Sequence, residues 1–345
     1  MTNAPSSPLR LMGAPGSPYT RKMVATLRYR RIAHAILWGG FRNPYPGYPE
    51  PKVKLLPTFY FPTPEGGLEA VTDSTPITRR LERDHAGRSV LPADPVLNFL
   101  NYLIEDYGDE WMTKAMFHYR WAHKPDAENA GPLLIFWSMP QMDKEAAVAA
   151  SQAISKRQID RLYVVGSNDI TGPTIEASFE RFVTLFDRLI ETHGYCLGQR
   201  PSSADFALYG QLTQLAQVEP TSMAAANAIS RRVRAWVDRV EDLSGLEPED
   251  GQWMSREAAR EALAPLLEEI GRVYVPFLLA NAAAAKNGQE TFATEIDGRP
   301  WTQPTFPYQA KCLSWIRQEF AALSDDDRTV AADILNRSGC QGLLA

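Results

Sequence analysis

The sequence predicts an α/β domain over residues 8–87, an all-α domain over residues 95–286 and a C-terminal helical extension over residues 287–345. Two observations predict this division. Up to Asp84, short apolar runs alternate with amphipathic helical segments. Beyond the linker RSVLPADP (residues 88–95) no convincing strand pattern returns, and apolar residues recur at the i, i+3, i+4 spacing of helices.

Composition narrows the function classes. At 345 residues the chain is long enough for two domains and a large core. A net charge of −5 and a pI near 5.7 give no basis for expecting nucleic acid or an anionic membrane as a partner. No apolar run approaches the roughly 20 residues of a membrane span. MTNAPSSPLR lacks the apolar core of a signal peptide, so a cytoplasmic location is expected. Cys196, Cys312 and Cys340 are scattered, which suits a reducing compartment and supports neither a disulfide framework nor a zinc motif. The histidines are dispersed too. Only His118 and His123 lie near each other, five apart rather than the i, i+4 of a helical metal pair, so no metal is expected.

The first domain is organised around RLMGAPGSPYTRKMVATLRYRR, from Arg10 to Arg31. Leu11 and Met12 lead to a turn at Gly13-Ala14-Pro15-Gly16, and Ser17-Pro18 opens a helix with Met23, Val24 and Leu27 on its inner face. Ser17 suits the N-cap because its hydroxyl accepts from a first-turn N–H; Pro18 suits the next position, where no N–H is needed. The positive end of the helix dipole favours an anion there, and a thiolate is one candidate. The same two residues also read simply as a cap and start signal. Ile32–Leu37 alternates as a second strand, and the following loop carries Trp38, Phe41, Tyr45 and Tyr48 for a cleft wall or a covered flank. Lys52–Phe61 reads as a strand interrupted at Leu56-Pro57, which puts the proline at an edge, a bulge or a cis turn. Pro64-Glu65-Gly66-Gly67 turns the chain into Leu68–Val71 as a hairpin partner. Asp73-Ser74-Thr75-Pro76 then starts a helix with Ile77 and Leu81 inward, Ser74 being its cap candidate.

In the second domain Leu97, Leu100, Ile104, Tyr107 and Trp111 follow one helical face that continues into KAMFHYRW. Residues 122–145, mixed and proline-containing, read as a partly ordered excursion before a helix from Lys144 to Leu162. Phe179, Phe182, Val183, Phe186, Leu189 and Ile190 form an inward stripe. Ser202-x-x-Asp205 is a capping box that opens a helix apolar nearly all round, the mark of a central helix. Val233, Trp236, Val237 and Val240 make a further stripe, and Pro265 and Pro276 predict one break and one kink over residues 256–286. The extension mixes aromatics and prolines before a helix, and Ser324 with Asp327 caps a last one.

Taken in order, Ser17-Pro18, Leu56-Pro57, Asp73-Ser74 and PSSADFALYGQL resemble the glutathione S-transferase superfamily over about residues 10–280. The resemblance implies a thioredoxin-like domain that binds glutathione, a helical domain that holds a second substrate, and a homodimer. It places Ser17 where the serine-type classes keep a hydroxyl that donates to the glutathione sulfur. Such a donor stabilises the thiolate of a thiol whose free pKa is about 8.5. Pro57 matches the family's cis-proline, which turns the backbone of Leu56 toward the cysteinyl part of glutathione. Ser74 with Asp73 matches the site of the γ-glutamyl group. Leu55 departs from the pattern, since the residue two before the proline is often polar or cationic; Lys52 or Lys54 is then expected to meet the glycyl carboxylate. A serine at position 17, where the disulfide-reducing members need a protein nucleophile, argues against that chemistry.

Tyr107, Trp111, Tyr119 and Trp121 are candidates for the wall of an interdomain pocket, with core packing or subunit contact as the alternative. Trp301, Phe306, Tyr308 and Trp315 either close over that cleft or pack along the bundle. Ser202 and Asp205 are expected to be structural. The leading expectation is a transferase that adds the glutathione thiolate to an apolar electrophile. The alternative is a non-catalytic binding or scaffold protein of the same fold, toward which Leu55 and the long insertions point.

Overall fold

The computed structural model describes residues 8–39 and 45–344; Phe41 of the aromatic loop lies outside them. The first domain runs β1 (Leu9–Gly13), α1 (Pro18–Tyr29), β2 (His34–Trp38), β3 (Thr58–Pro62), β4 (Leu68–Val71) and α2 (Ser74–Asp84). The sheet order is β2-β1-β3-β4. β1 pairs parallel with β2, Leu11 opposite Ile36, and antiparallel with β3, Leu11 opposite Phe59. Leu11, Phe59 and Phe61 bury one face against Met23, Val24 and Leu27 of α1 and Ile77 and Leu81 of α2. The strand expected across Lys52–Phe61 is only half present. Residues 52–56 are irregular, the Leu56-Pro57 bond is cis, and pairing starts at Thr58, since proline has no N–H for a ladder.

The helical part comprises α3 (Pro95–Glu110), α4 (Met112–Ala122), α5 (Lys124–Ser138), α6 (Lys144–Ile159), α7 (Gly172–His193), α8 (Ser203–Leu215), α9 (Pro220–Ile229), α10 (Arg231–Val240), α11 (Arg256–Ala262), α12 (Ala264–Glu269) and α13 (Val275–Lys286). Helix α8 is buried along its whole length. Its start is fixed by Asp205, whose carboxylate accepts from the backbone N–H of Ser202 at 2.9 Å and of Cys196 at 2.8 Å. Gly210 on α8 lets α1 come close, because a Cβ there would sit 2.4 Å from the carbonyl oxygen of Pro18. The N-terminus of α1, and Ser17 with it, is therefore seated on the central helix.

Two expectations need correction. Residues 124–138 are a helix, not a partly ordered excursion. Pro125 sits in the first turn, where no donor is required, and the buried Asp126 accepts from the backbone of Thr221 at 3.0 Å. The extension is not wholly helical either. It opens with an antiparallel hairpin, β5 (Thr291–Ile296) and β6 (Arg299–Pro304), before α14 (Pro307–Ala321) and α15 (Asp325–Arg337). Asp297 and Gly298 at the turn have φ of 54° and 67°, the left-handed pair of a tight hairpin. The predicted break and kink are present: α11 and α12 part just before Pro265, and a π-helical turn, Ile270–Tyr274, precedes Pro276. Among the described residues no helix is long and apolar enough to cross a membrane.

The hairpin completes the core. Trp301 packs on Trp111, with ring centroids 5.5 Å apart, and on Phe277 at 6.4 Å. The buried ammonium of Lys114 donates to Val165 O at 3.1 Å and Gln303 Oε1 at 3.3 Å and lies 3.9 Å from the Phe277 ring centre. Trp301→Ala is accordingly expected to cost about 3–5 kcal/mol in urea unfolding. A loss below about 1 kcal/mol, the scale of a surface change, would mean that the hairpin is peripheral.

Candidate functional site

The two domains and the extension enclose a cavity of about 570 Å³. The first domain supplies Leu55, Leu56, Pro57, Asp73 and Ser74 to its wall; α3 supplies Tyr102, Asp106, Asp109 and Glu110; α14 supplies Tyr308 and Trp315. Ser17 is not part of that wall. Its half-buried Oγ accepts from the N–H of Thr20 at 3.2 Å, the cap bond expected, and donates to the carbonyl of Leu56 at 3.3 Å. Ser17 thus meets the cavity through Leu56.

At the start of α2 the cap position is held by Asp73, and Ser74 is the first helical residue, one place later than the sequence suggested. Asp73 has φ 83°, a left-handed backbone unusual for a residue with a side chain. Its carboxylate makes no cap bond and accepts instead from the Tyr308 hydroxyl at 2.9 Å. Burial raises the Asp73 carboxyl above the ordinary aspartate range, and the Tyr308 hydroxyl works against that rise.

Beneath Ser74 lies a group of charges that sequence reasoning missed. Lys22 of α1 is buried, and its ammonium donates to Glu105 at 2.8 Å, to Asp109 at 2.6 Å and to the Ser74 hydroxyl at 3.2 Å. Glu105 also accepts from Ser203 at 2.6 Å, with Arg79 at 3.7 Å. Although burial opposes it, the Lys22 and Arg79 charges hold Glu105 below the usual carboxylate range. Lys22 stays charged despite its burial because both carboxylates face it. One signal was available: Glu105 with Asp109 and Asp106 with Glu110 are like-charged i, i+4 pairs on an otherwise apolar helix, and such pairs call for an external cation or a proton.

The second pair takes protons, and Asp109 of the first is raised as well, by burial and by the charge of Glu105 against the pull of Lys22. Asp106 accepts from the Tyr274 hydroxyl at 2.6 Å, and Glu110 from the Gln309 amide at 3.1 Å. Burial, with neighbouring carboxylates adding to it, pushes Asp106 up to about 7 and Glu110 up to about 8. Burial also brings Lys114 down to about 7.

Other expected site residues lie elsewhere. Tyr107 and Trp111, expected to wall the pocket, are 0% and 2% exposed and belong to the core. Tyr107 packs against Phe182 and Tyr274, and the Trp111 indole donates to Ser178 at 2.9 Å. Tyr274, just before α13, and the hairpin cover the face that was expected to be open. Tyr119 is buried as well, and Trp121 borders a separate groove between α5 and α6. Lys54 points outward and pairs with Glu50 at 3.2 Å, while Leu55 occupies the wall. Of the aromatic tail, Tyr308 and Trp315 face the cavity and Trp301 is core. His118 and His123, five apart in sequence and off the i, i+4 spacing of a helical pair, meet in space around Glu176, so spacing alone was a poor guide to ligand groups.

Two family models match the chain. Residues 11–89 match the glutathione S-transferase N-terminal domain and residues 145–239 the C-terminal domain, together half of the sequence. The chain belongs to the glutathione S-transferase superfamily. Its sheet domain is the superfamily's thioredoxin-like half, and its bundle is the helical half. No curated protein matches the chain. Among solved structures it is similar to a glutathione S-transferase of Methylobacterium radiotolerans in complex with glutathione sulfonate, at 18% identity over 66% of this chain and 93% of that one, TM-score 0.35. A tau-class glutathione S-transferase of mango, Mangifera indica, is similar at 17% identity over 74% and 97%, TM-score 0.40. A Pseudomonas putida glutathione transferase with one glutathione disulfide bound per subunit is similar at 17% identity over 71% and 91%, TM-score 0.38. At such scores the family assignment rests on the two domain models.

The charges in this superfamily member's cavity wall fix a pH dependence. Asp106, Asp109 and Glu110 hold their protons to higher pH in the fold than in the unfolded chain. Between their unfolded values near pH 4 and their folded ones, the native state binds more protons, so stability falls as pH rises. Lys114 acts in the opposite sense only above its folded value of about 7, and Glu105 only below its unfolded value. The melting temperature is expected to fall from about pH 5 to about pH 7. The double variant Asp106→Asn, Glu110→Gln should reduce that slope and leave the part due to Asp109; an unchanged slope would place the titration elsewhere.

Proposed function

We propose that the protein is a glutathione-dependent transferase in which Ser17 activates the substrate thiol. One observation carries this reading. The Ser17 oxygen is held by the cap bond from Thr20, while its proton is spent on a 3.3 Å contact with the Leu56 carbonyl, at the cis bond on the cavity rim. That contact is long for an O–H···O bond and cheap to exchange. A thiolate lying along Leu56 would take the proton's hydrogen bond in its place, with the positive end of α1 acting in the same sense. Asp73 and Ser74, at the start of α2, are proposed to receive the γ-glutamyl ammonium and carboxylate.

The electrophile is proposed to lie in the cavity against Leu55, Pro57, Tyr102 and Trp315. With Asp106 near 7 and Glu110 near 8, the wall carries less charge at neutral pH than its carboxyl groups suggest, which suits an electrophile with apolar surface. A cytoplasmic homodimer belongs to the same proposal; three free, buried cysteines support a reducing compartment. The competing reading, a non-catalytic binding protein, is favoured by Leu55 on the wall, by Lys54 paired outward with Glu50 and by Lys52, which is exposed and not part of that wall, so that neither expected cation stands ready for the glycyl carboxylate.

Calorimetric titration with reduced glutathione, paired with turnover of 1-chloro-2,4-dinitrobenzene, separates these readings. The wild type should bind glutathione and show thiolate absorbance. Ser17→Ala should keep the binding within a few-fold and lose about 1 kcal/mol of stability. Its turnover should fall by roughly 10- to 100-fold, the thiolate fraction lost over one to two pKa units. Binding with undiminished turnover in the variant would reduce Ser17 to a cap. No binding at millimolar glutathione would give the protein to the non-catalytic reading.

A further inference from the structure

Three side chains converge where α4 ends, α5 begins and α7 makes its first turns. Oε1 of Glu176 lies 3.1 Å from Nε2 of His118 and 2.9 Å from Nε2 of His123, and one ligand atom from each residue fits within 4.8 Å of the others. We infer that His118, His123 and Glu176 form a divalent-cation site of the zinc class, with its fourth position open to water.

The spacing suits such an ion. Bonds of about 2.0–2.1 Å in tetrahedral array separate neighbouring ligands by roughly 3.3 Å. The present 2.9 and 3.1 Å are therefore a few tenths of an ångström short, a shift that side-chain rotation supplies. Two imidazoles and one carboxylate, with one position left over, are a usual protein donor set for zinc.

The ligands are also held from behind. Nδ1 of His118 lies 2.7 Å from the Ser167 hydroxyl, the kind of outer partner that orients a metal-binding imidazole. A hydroxyl both donates and accepts. Without an ion, His118 carries its proton on Nε2 for Glu176 and accepts from Ser167 at Nδ1. With an ion, the proton moves to Nδ1 and is given to Ser167, so the Nε2 lone pair is freed with no net loss of a proton. The His123 ring stacks on Tyr119 at 5.3 Å, and Tyr119 meets Phe179 of α7 edge-on at 5.4 Å. Gly172, one turn before Glu176, leaves room for the His118 ring: a Cβ there would stand 3.0 Å from Cε1. His118 is buried, while the side chains of His123 and Glu176 are 30% and 37% exposed, so the site has a closed back and an open front. An ion in this place would tie the α4–α5 junction to α7.

The inference stands apart from the glutathione reading, and its test does not use activity. The full-length protein, stripped with a chelator, is titrated calorimetrically with zinc chloride, and cobalt chloride is added separately as a spectroscopic probe. Expected are one zinc per chain, cobalt bands of four-coordinate strength and a rise in melting temperature on zinc addition. His123→Ala and Glu176→Gln, each checked for native circular dichroism, should weaken zinc binding by at least about tenfold. No uptake from excess zinc, uptake undiminished in both variants, or cobalt bands of six-coordinate strength would overturn it. The triad would then be a hydrogen-bonded cluster in which Glu176 accepts from two imidazoles.

Discussion

A single buried ammonium holds the architecture of the site together. Lys22 of α1 faces Glu105 and Asp109 of α3 and also meets Ser74 at the head of α2. Thr75 joins the same carboxylates at 3.1 and 3.3 Å, and Ser203, at the start of α8, donates to Glu105. Four helices from both domains thus share one charge cluster. Removing any one charged partner from so dry a place leaves another charge without compensation, typically at a cost of about 3–5 kcal/mol. The cluster contributes less to net stability than to geometry, because only one relative placement of α1, α2 and α3 satisfies it.

That placement is what the proposed chemistry needs. Ser17 caps the helix that carries Lys22, and Ser74 touches the Lys22 ammonium. Whatever positions Lys22 therefore positions both the hydroxyl proposed for the sulfur and the helix start proposed for the γ-glutamyl group. Gly210 adds a steric constraint by letting the Pro18 carbonyl rest on α8. Charge fixes α1 laterally and contact with the central helix fixes its depth.

Local signals were legible in the sequence; pairings across long stretches of chain were not. The Ser17 cap, the hairpin around Gly66 and the Ser202–Asp205 box each lie within a few residues of their partners, so spacing revealed them. Lys22 meets partners 83 and 87 residues away, and nothing in α1 alone distinguishes it from a surface lysine. Tyr107 and Trp111 were correctly placed on a long helix, but which flank of it stays open depends on Tyr274 and Trp301, far along the chain. The β5–β6 hairpin carried the strong turn signal Asp297-Gly298; Pro300 and Pro304 obscured it, although a two-stranded ribbon tolerates proline on its outer edges. The meeting of His118, His123 and Glu176 likewise required the turn between α4 and α5 that linear spacing does not show.

The bond from Tyr308 to Asp73 spans 235 residues and closes the cavity with a side chain of the extension. Domains fold as units in the order of their synthesis, N-terminal first. The sheet domain can therefore mature while α14 is still unmade, and during that interval its rim faces open solvent with Asp73 unmet. The binding wall is finished last, so a chain interrupted before α14 would carry the superfamily's recognisable domains and lack the chamber they share.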